Sequence, residues 1–138
     1  METKNNYKSF NENKSIDELK YTMLIYKARL EEEIIEYKFY KNLLEQSIFK
    51  DNTVNLFENL ETFKKEIATA ENEAVTLLKE VKLQANSIVN KIECNDLFCD
   101  NFFIKNSDQL EEQLYTFFNK CTHFKIHLFE YLESVMKS

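Results

Sequence analysis

Neither glycine nor proline occurs anywhere in the 138 residues, and tryptophan is absent too. A chain of average composition would hold roughly 10 glycines and 7 prolines. Glycine is the default residue for left-handed turns, and proline the default helix breaker. A chain lacking both has few places to turn sharply. That argues against β-sandwiches, doubly wound α/β sheets and phosphate-cradling loops, all of which need glycine at tight turns. Long helices remain.

Arginine is almost missing. Of 18 basic residues only Arg29 is arginine, against 24 acidic residues and a net charge of −6. Arginine is the preferred bidentate ligand of phosphate and guanine, so its scarcity and the acidic balance speak against nucleic acid as a partner. Residues 1–14 carry +1, 15–50 carry −1, and 51–94 and 95–138 carry −3 each, so no segment is a basic patch. The clustered lysines of a membrane-surface helix are missing. No apolar run approaches the roughly 18 residues of a membrane span, and the polar first 14 residues contain no apolar leader. The three cysteines, an odd number, form no disulfide framework. These features read as an intracellular protein, cytoplasmic or nuclear.

What the sequence does contain is periodicity. Residues 1–14 are asparagine-rich and aperiodic, and read as a flexible polar tail. Ser15 and Glu18 form a capping-box signature. From there apolar residues alternate at spacings of three and four: Ile16, Leu19, Met23, Tyr26, Leu30, Ile34, Tyr37, Tyr40, Leu44 and Ile48. Glu33 interrupts this stripe, at a point where a neighbouring helix ends or a lysine or asparagine from a partner arrives to meet it. Asp51 and Asn52, tolerant of left-handed backbone, are the expected turn. A second stripe is the most regular: Leu56, Leu60, Phe63, Ile67, Ala70, Ala74, Leu77, Val81, Gln84 and Ile88. These are heptad a and d positions flanked by lysine and glutamate. Its alanines invite close approach, and the bulky Tyr26 to Tyr40 of the first helix are their expected counterpart.

A second break is expected over Glu93 to Asn106, with Asn95, Asp96, Asp100, Asn101 and Asn106 as turn residues and Ser107 or Asp108 as the next cap. The third stripe reads Leu110, Leu114, Phe117, Cys121, Phe124, Leu128, Tyr131 and Val135. The fold class is therefore all-α: an antiparallel three-helix bundle of long amphipathic helices with coiled-coil packing, one domain over 15–138. Its helices span about 16–49, 54–93 and 108–137, roughly 50, 60 and 45 Å. Helix two is the longest and projects beyond its neighbours. Phe39, Tyr40, Phe118 and Phe129, off the main seams, mark a second adhesive face.

Chemistry-bearing constellations are few. Cys94, Cys99, His123 and His127 are the ligand types of a structural zinc site, but His123 falls about 24 Å along helix three from the loop holding the cysteines. His123, His127 and Glu130 share a helical face, yet no Glu-x-x-His pair exists to build a di-iron bundle. Cys121 sits on the third seam, where a thiol behaves as a small hydrophobe. Glu31, Glu32, Glu33 and Glu36 read as a solvated face, with Glu33 the odd member. No catalytic residue, cofactor or metal ligand is assigned. The segment Leu97, Phe98, Phe102, Phe103 and Ile104 is unusually apolar for a loop. It either plugs the open end of the bundle or docks a partner.

The expected function is non-enzymatic: a helical assembly or scaffold subunit that binds other helical proteins, a second copy of itself among the candidate partners. The alternative is a pathogen or phage effector or adaptor that binds one host protein through a bundle face.

Overall fold

A computed structural model describes Asn11, residues 14–91 and residues 97–138. Those residues form three helices, α1 (Ile16–Leu43), α2 (Leu56–Lys91) and α3 (Leu97–Val135). They pack as an all-α three-helix bundle in which α1 and α3 each lie against α2. Ser15 starts α1 with the full capping box: its Oγ accepts from the Glu18 backbone N–H at 3.2 Å, and the Glu18 carboxylate accepts from the Ser15 N–H at 2.8 Å. These bonds, the backbone one first, hold the Glu18 carboxyl below its ordinary value.

The first helix ends at Leu43, short of Phe49. Beyond it the chain turns, and Ile48 to Lys50 run extended against the C-terminus. Lys50 N–H donates to the Val135 carbonyl and Lys137 N–H to the Ile48 carbonyl, both at 2.8 Å. Phe49 and Met136 make an isolated antiparallel bridge. The periodic Ile48 thus lies outside the helix, half-buried. Without glycine, the next turn relies on asparagine, since Asn52 and Asn55 both adopt positive φ, 61° and 59°. Anchoring the end of α3 beside the α1–α2 turn makes α1 and α3 parallel to each other and antiparallel to α2.

The core is the meeting of the three expected stripes. Leu19, Met23, Leu30 and Tyr37 of α1 meet Ile67, Ala74, Leu77, Val81 and Ile88 of α2, and Leu114, Phe117, Cys121 and Leu128 of α3. Tyr37 of α1 and Ala70 of α2 line one groove.

Helix α3 begins far upstream of the expected cap. Ser107 and Asp108 lie inside it, as do Asp100, Asn101 and Asn106, while Asn95, Asp96 and the end of helix two after Lys91 lie outside the described residues. Among the described residues α3 spans 39 and α2 spans 36. The reason lies in α2. Its stripe continues to Gln84 and Ile88, which must be covered. Gln84 Nε2 donates to the Phe103 carbonyl at 3.3 Å and to Ser107 Oγ at 3.1 Å, so the early turns of α3 satisfy a buried amide. Ser107 is fully buried by this contact rather than capping a helix. Asn11, expected in a flexible tail, is also fully buried and donates from Nδ2 to Asp108 Oδ1 (2.7 Å) and Glu111 Oε2 (3.0 Å) of α3.

Leu77 lies mid-seam and 4% exposed. Replacing it with aspartate places an unpaired charge in the core, at an expected cost above about 4 kcal/mol. The cooperative thermal transition followed by far-UV circular dichroism should be lost, and an unchanged transition would refute this seam.

Candidate functional site

Two kinds of surface on this bundle have the chemistry to do something: a buried polar cluster between α1 and α3, and the apolar residues left on the outside. The cluster answers the anomaly at Glu33. This carboxylate is buried on the α1 seam, and Lys125 of α3 reaches it, with Nζ 3.0 Å from Glu33 Oε2 and 2.6 Å from Glu36 Oε1. The cation comes from within the same chain, neither from a partner nor at the end of a neighbouring helix as the sequence had suggested. Glu33 Oε1 is buried with no hydrogen-bond partner among the described residues.

Burial works against the Lys125 ammonium, but hydrogen bonds to Glu36 and Glu33, with the two negative charges, outweigh it and raise its pKa above the ordinary lysine value. Beside the triad, burial pushes the Cys121 thiol from 9.0 up to about 11, the Tyr37 hydroxyl partly opposing and the Glu33 charge adding to the rise. Burial, and then the neighbouring Cys121, also raise the Tyr37 hydroxyl above its ordinary range. Cys121 is therefore a protonated thiol, the opposite of an activated nucleophile. The geometry suits a fixed α1–α3 register better than proton transfer.

Cys121 and Tyr37 also face a groove of about 300 Å³ between α2 and α3, walled by Ala70, Phe117 and Phe124. Lys120 of α3 sits at its mouth, 3.0 Å from Glu73 of α2, in an exposed ion pair. His123, His127 and Glu130 are all exposed on α3. Cys99 and His123 now share one helix, about 36 Å apart at the rise of an α-helix. No group of three or more His, Cys, Asp or Glu able to hold a metal occurs among the described residues, and no helix among them is long and apolar enough to cross a membrane.

The apolar segment expected to plug or dock is divided by the helix it belongs to. Phe102 is 51% exposed, whereas Phe103 and Ile104 are half-buried and packed on the core. Leu97 and Phe98 belong to the first turn of α3, and their side chains lie outside the described residues. The off-seam aromatics divide too. Tyr40 and Phe118 are buried, and Phe39 and Phe129 are exposed. Arg29 lies 3.9 Å above the Phe118 ring, a cation–π contact that covers it.

The larger apolar surface is on α1. Tyr21, Ile25, Ile35 and Phe39 are 66%, 43%, 68% and 59% exposed. With Ala28 and Glu32, both exposed, they repeat the three–four spacing on the side of α1 away from Leu30 and Tyr37. The sequence carried this second stripe as openly as the first. Phe39 alone of these residues is among the off-seam aromatics expected to form a second face. The surface continues onto α3: Phe39 meets Tyr40 at 6.0 Å between ring centroids, and Tyr40 meets the exposed Phe129 at 5.8 Å. Compared with known proteins, the chain matches no family model, no curated sequence and no solved structure.

Two outcomes test this description. Lys125→Met strands the Glu33 carboxylate and should cost about 2–4 kcal/mol in urea unfolding. Adding Glu33→Met should recover most of that loss, and additive losses would mean the two groups are not coupled. In thermal melts, Phe103→Ser should lower the midpoint by several degrees, at about 4 °C or less per kcal/mol for a chain of this size, while Phe102→Ser leaves it nearly unchanged. Equal losses would place both rings in the core.

Proposed function

We propose that this protein is a non-enzymatic helical assembly subunit, acting inside the cell, which docks another helix on the outer face of α1 and the adjoining edge of α3. The observation that carries this reading is the exposed stripe Tyr21, Ile25, Ile35 and Phe39 on a helix whose opposite side is already buried. A surface helix that only closes a bundle needs one apolar face. Here α1 has two, and an exposed row of large apolar residues at helical spacing is the footprint of a helix-in-groove interaction. The aromatic corner of Phe39, Tyr40 and Phe129 supplies an anchor of the kind that dominates interface energetics. The raised pKa of Cys121 supports the non-enzymatic part, since the one buried thiol described lacks activation.

The test is a photo-crosslinking amino acid placed at Ile35 and, as a control, at Glu66 on the exposed side of α2. Irradiation in cells should give a discrete adduct to a helical protein, this chain included, from position 35 and none from position 66. Adducts from neither position, or from both equally, would overturn the proposal.

A further inference from the structure

The outer stripe of α1 has a symmetry that the buried one lacks. Tyr21 and Phe39 are equally distant in sequence from Leu30, and so are Ile25 and Ile35, and Ala28 and Glu32. Reversed end to end, the stripe therefore falls on itself with large apolar residues opposite large apolar residues. In heptad terms Tyr21, Ala28 and Ile35 occupy one position and Ile25, Glu32 and Phe39 the other. Antiparallel helices pair one position with the other in every layer, and this stripe does so throughout. Leu30 marks the centre but points into the chain's own core, so the axis position is not obstructed.

We infer that the helix docked on this face is α1 of a second copy, packed antiparallel about a twofold axis at the level of Leu30. The inference rests on the docking face proposed above and names its occupant. In this arrangement Tyr21 packs on Phe39 of the second copy, and Ile25 on its Ile35. Ala28 is small enough to admit the stem of the opposing Glu32.

The area is sufficient. Tyr21, Leu24, Ile25, Ile35 and Phe39 leave about 500–600 Å² of side chain exposed on each copy, so at most about 1,000–1,200 Å² is covered in the pair, the low end of the range of specific interfaces. An isologous twofold contact also closes on itself, which keeps an exposed apolar stripe from propagating into a filament.

The experiment is light scattering after gel filtration on the full chain over a wide concentration range, with variants mixed pairwise. The wild type should have twice the 16.6 kDa chain mass. Ile25→Lys alone and Ile35→Glu alone should each give monomers with unchanged far-UV circular dichroism. Mixed in equal amounts they should recover the doubled mass. Only antiparallel packing sets the introduced lysine against the introduced glutamate while leaving the other Ile25–Ile35 layer intact. A wild type that stays at 16.6 kDa at high concentration overturns the second copy as occupant, while crosslinks from position 35 to another protein would leave the docking face standing. Dimers that survive both single variants, or monomers that mixing does not rescue, overturn the antiparallel register.

Discussion

Burial of one unbroken apolar stripe on α2 is the constraint from which the rest of the molecule follows. Ile67, Ala74, Leu77, Val81 and Ile88 are each less than 5% exposed, and neither α1 nor α3 alone could cover them. A helix carrying an apolar stripe must bury it against another element. Two helices running opposite to α2 do so here, and their lengths adjust to the stripe. Helix α3 extends upstream through residues with good turn propensity because Gln84 and Ile88 of α2 need a cover. At the other end, α1 stops at Leu43 and the chain leaves helical geometry to join the end of α3 through Lys50 and Lys137.

The polar residues admitted to this core act as register marks. An apolar seam tolerates sliding by a heptad, because one leucine packs much like the next. Glu33 does not, because its carboxylate is expensive to bury except opposite Lys125. Gln84 is satisfied at one height on α3, by Ser107 and the Phe103 carbonyl, and Asn11 at another, by Asp108 and Glu111. Together they fix α3 against both other segments. The same principle explains the inertness of the centre. Its thiol and phenol are shifted toward their neutral forms by burial, and its lysine is held charged by two carboxylates.

Outside the core, α1 is the helix that stands apart. Its inner side is committed to α2 and α3, yet its outer side repeats the same three–four pattern with Tyr21, Ile25, Ile35 and Phe39. A monomer gains nothing from such a stripe, and exposing it carries a risk of aggregation. The proposed docking function rests on this face rather than on any cluster of reactive groups.

The sequence by itself determined the fold class and most of the core. Absent glycine and proline left no other fold class, and the three stripes named most of the residues that became buried, Cys121 among them, but not Phe118 or Leu132. It also marked Glu33 as the position needing a partner, because a charge on a seam is anomalous wherever the chain folds. Local signals could not place the break before α3. Asp100, Asn101, Ser107 and Asp108 have the chemistry of turns and caps, and only the need to cover the far end of α2 draws them into a helix. Nor could they separate Phe102 from Phe103, whose exposure depends on which side of that helix faces α2. Which of the two stripes on α1 turned inward was likewise a tertiary decision. The stripe with Leu19, Met23, Leu30 and Tyr37 can enclose Lys125 against Glu33 while filling the space above the alanines of α2, and its rival is left to the solvent side.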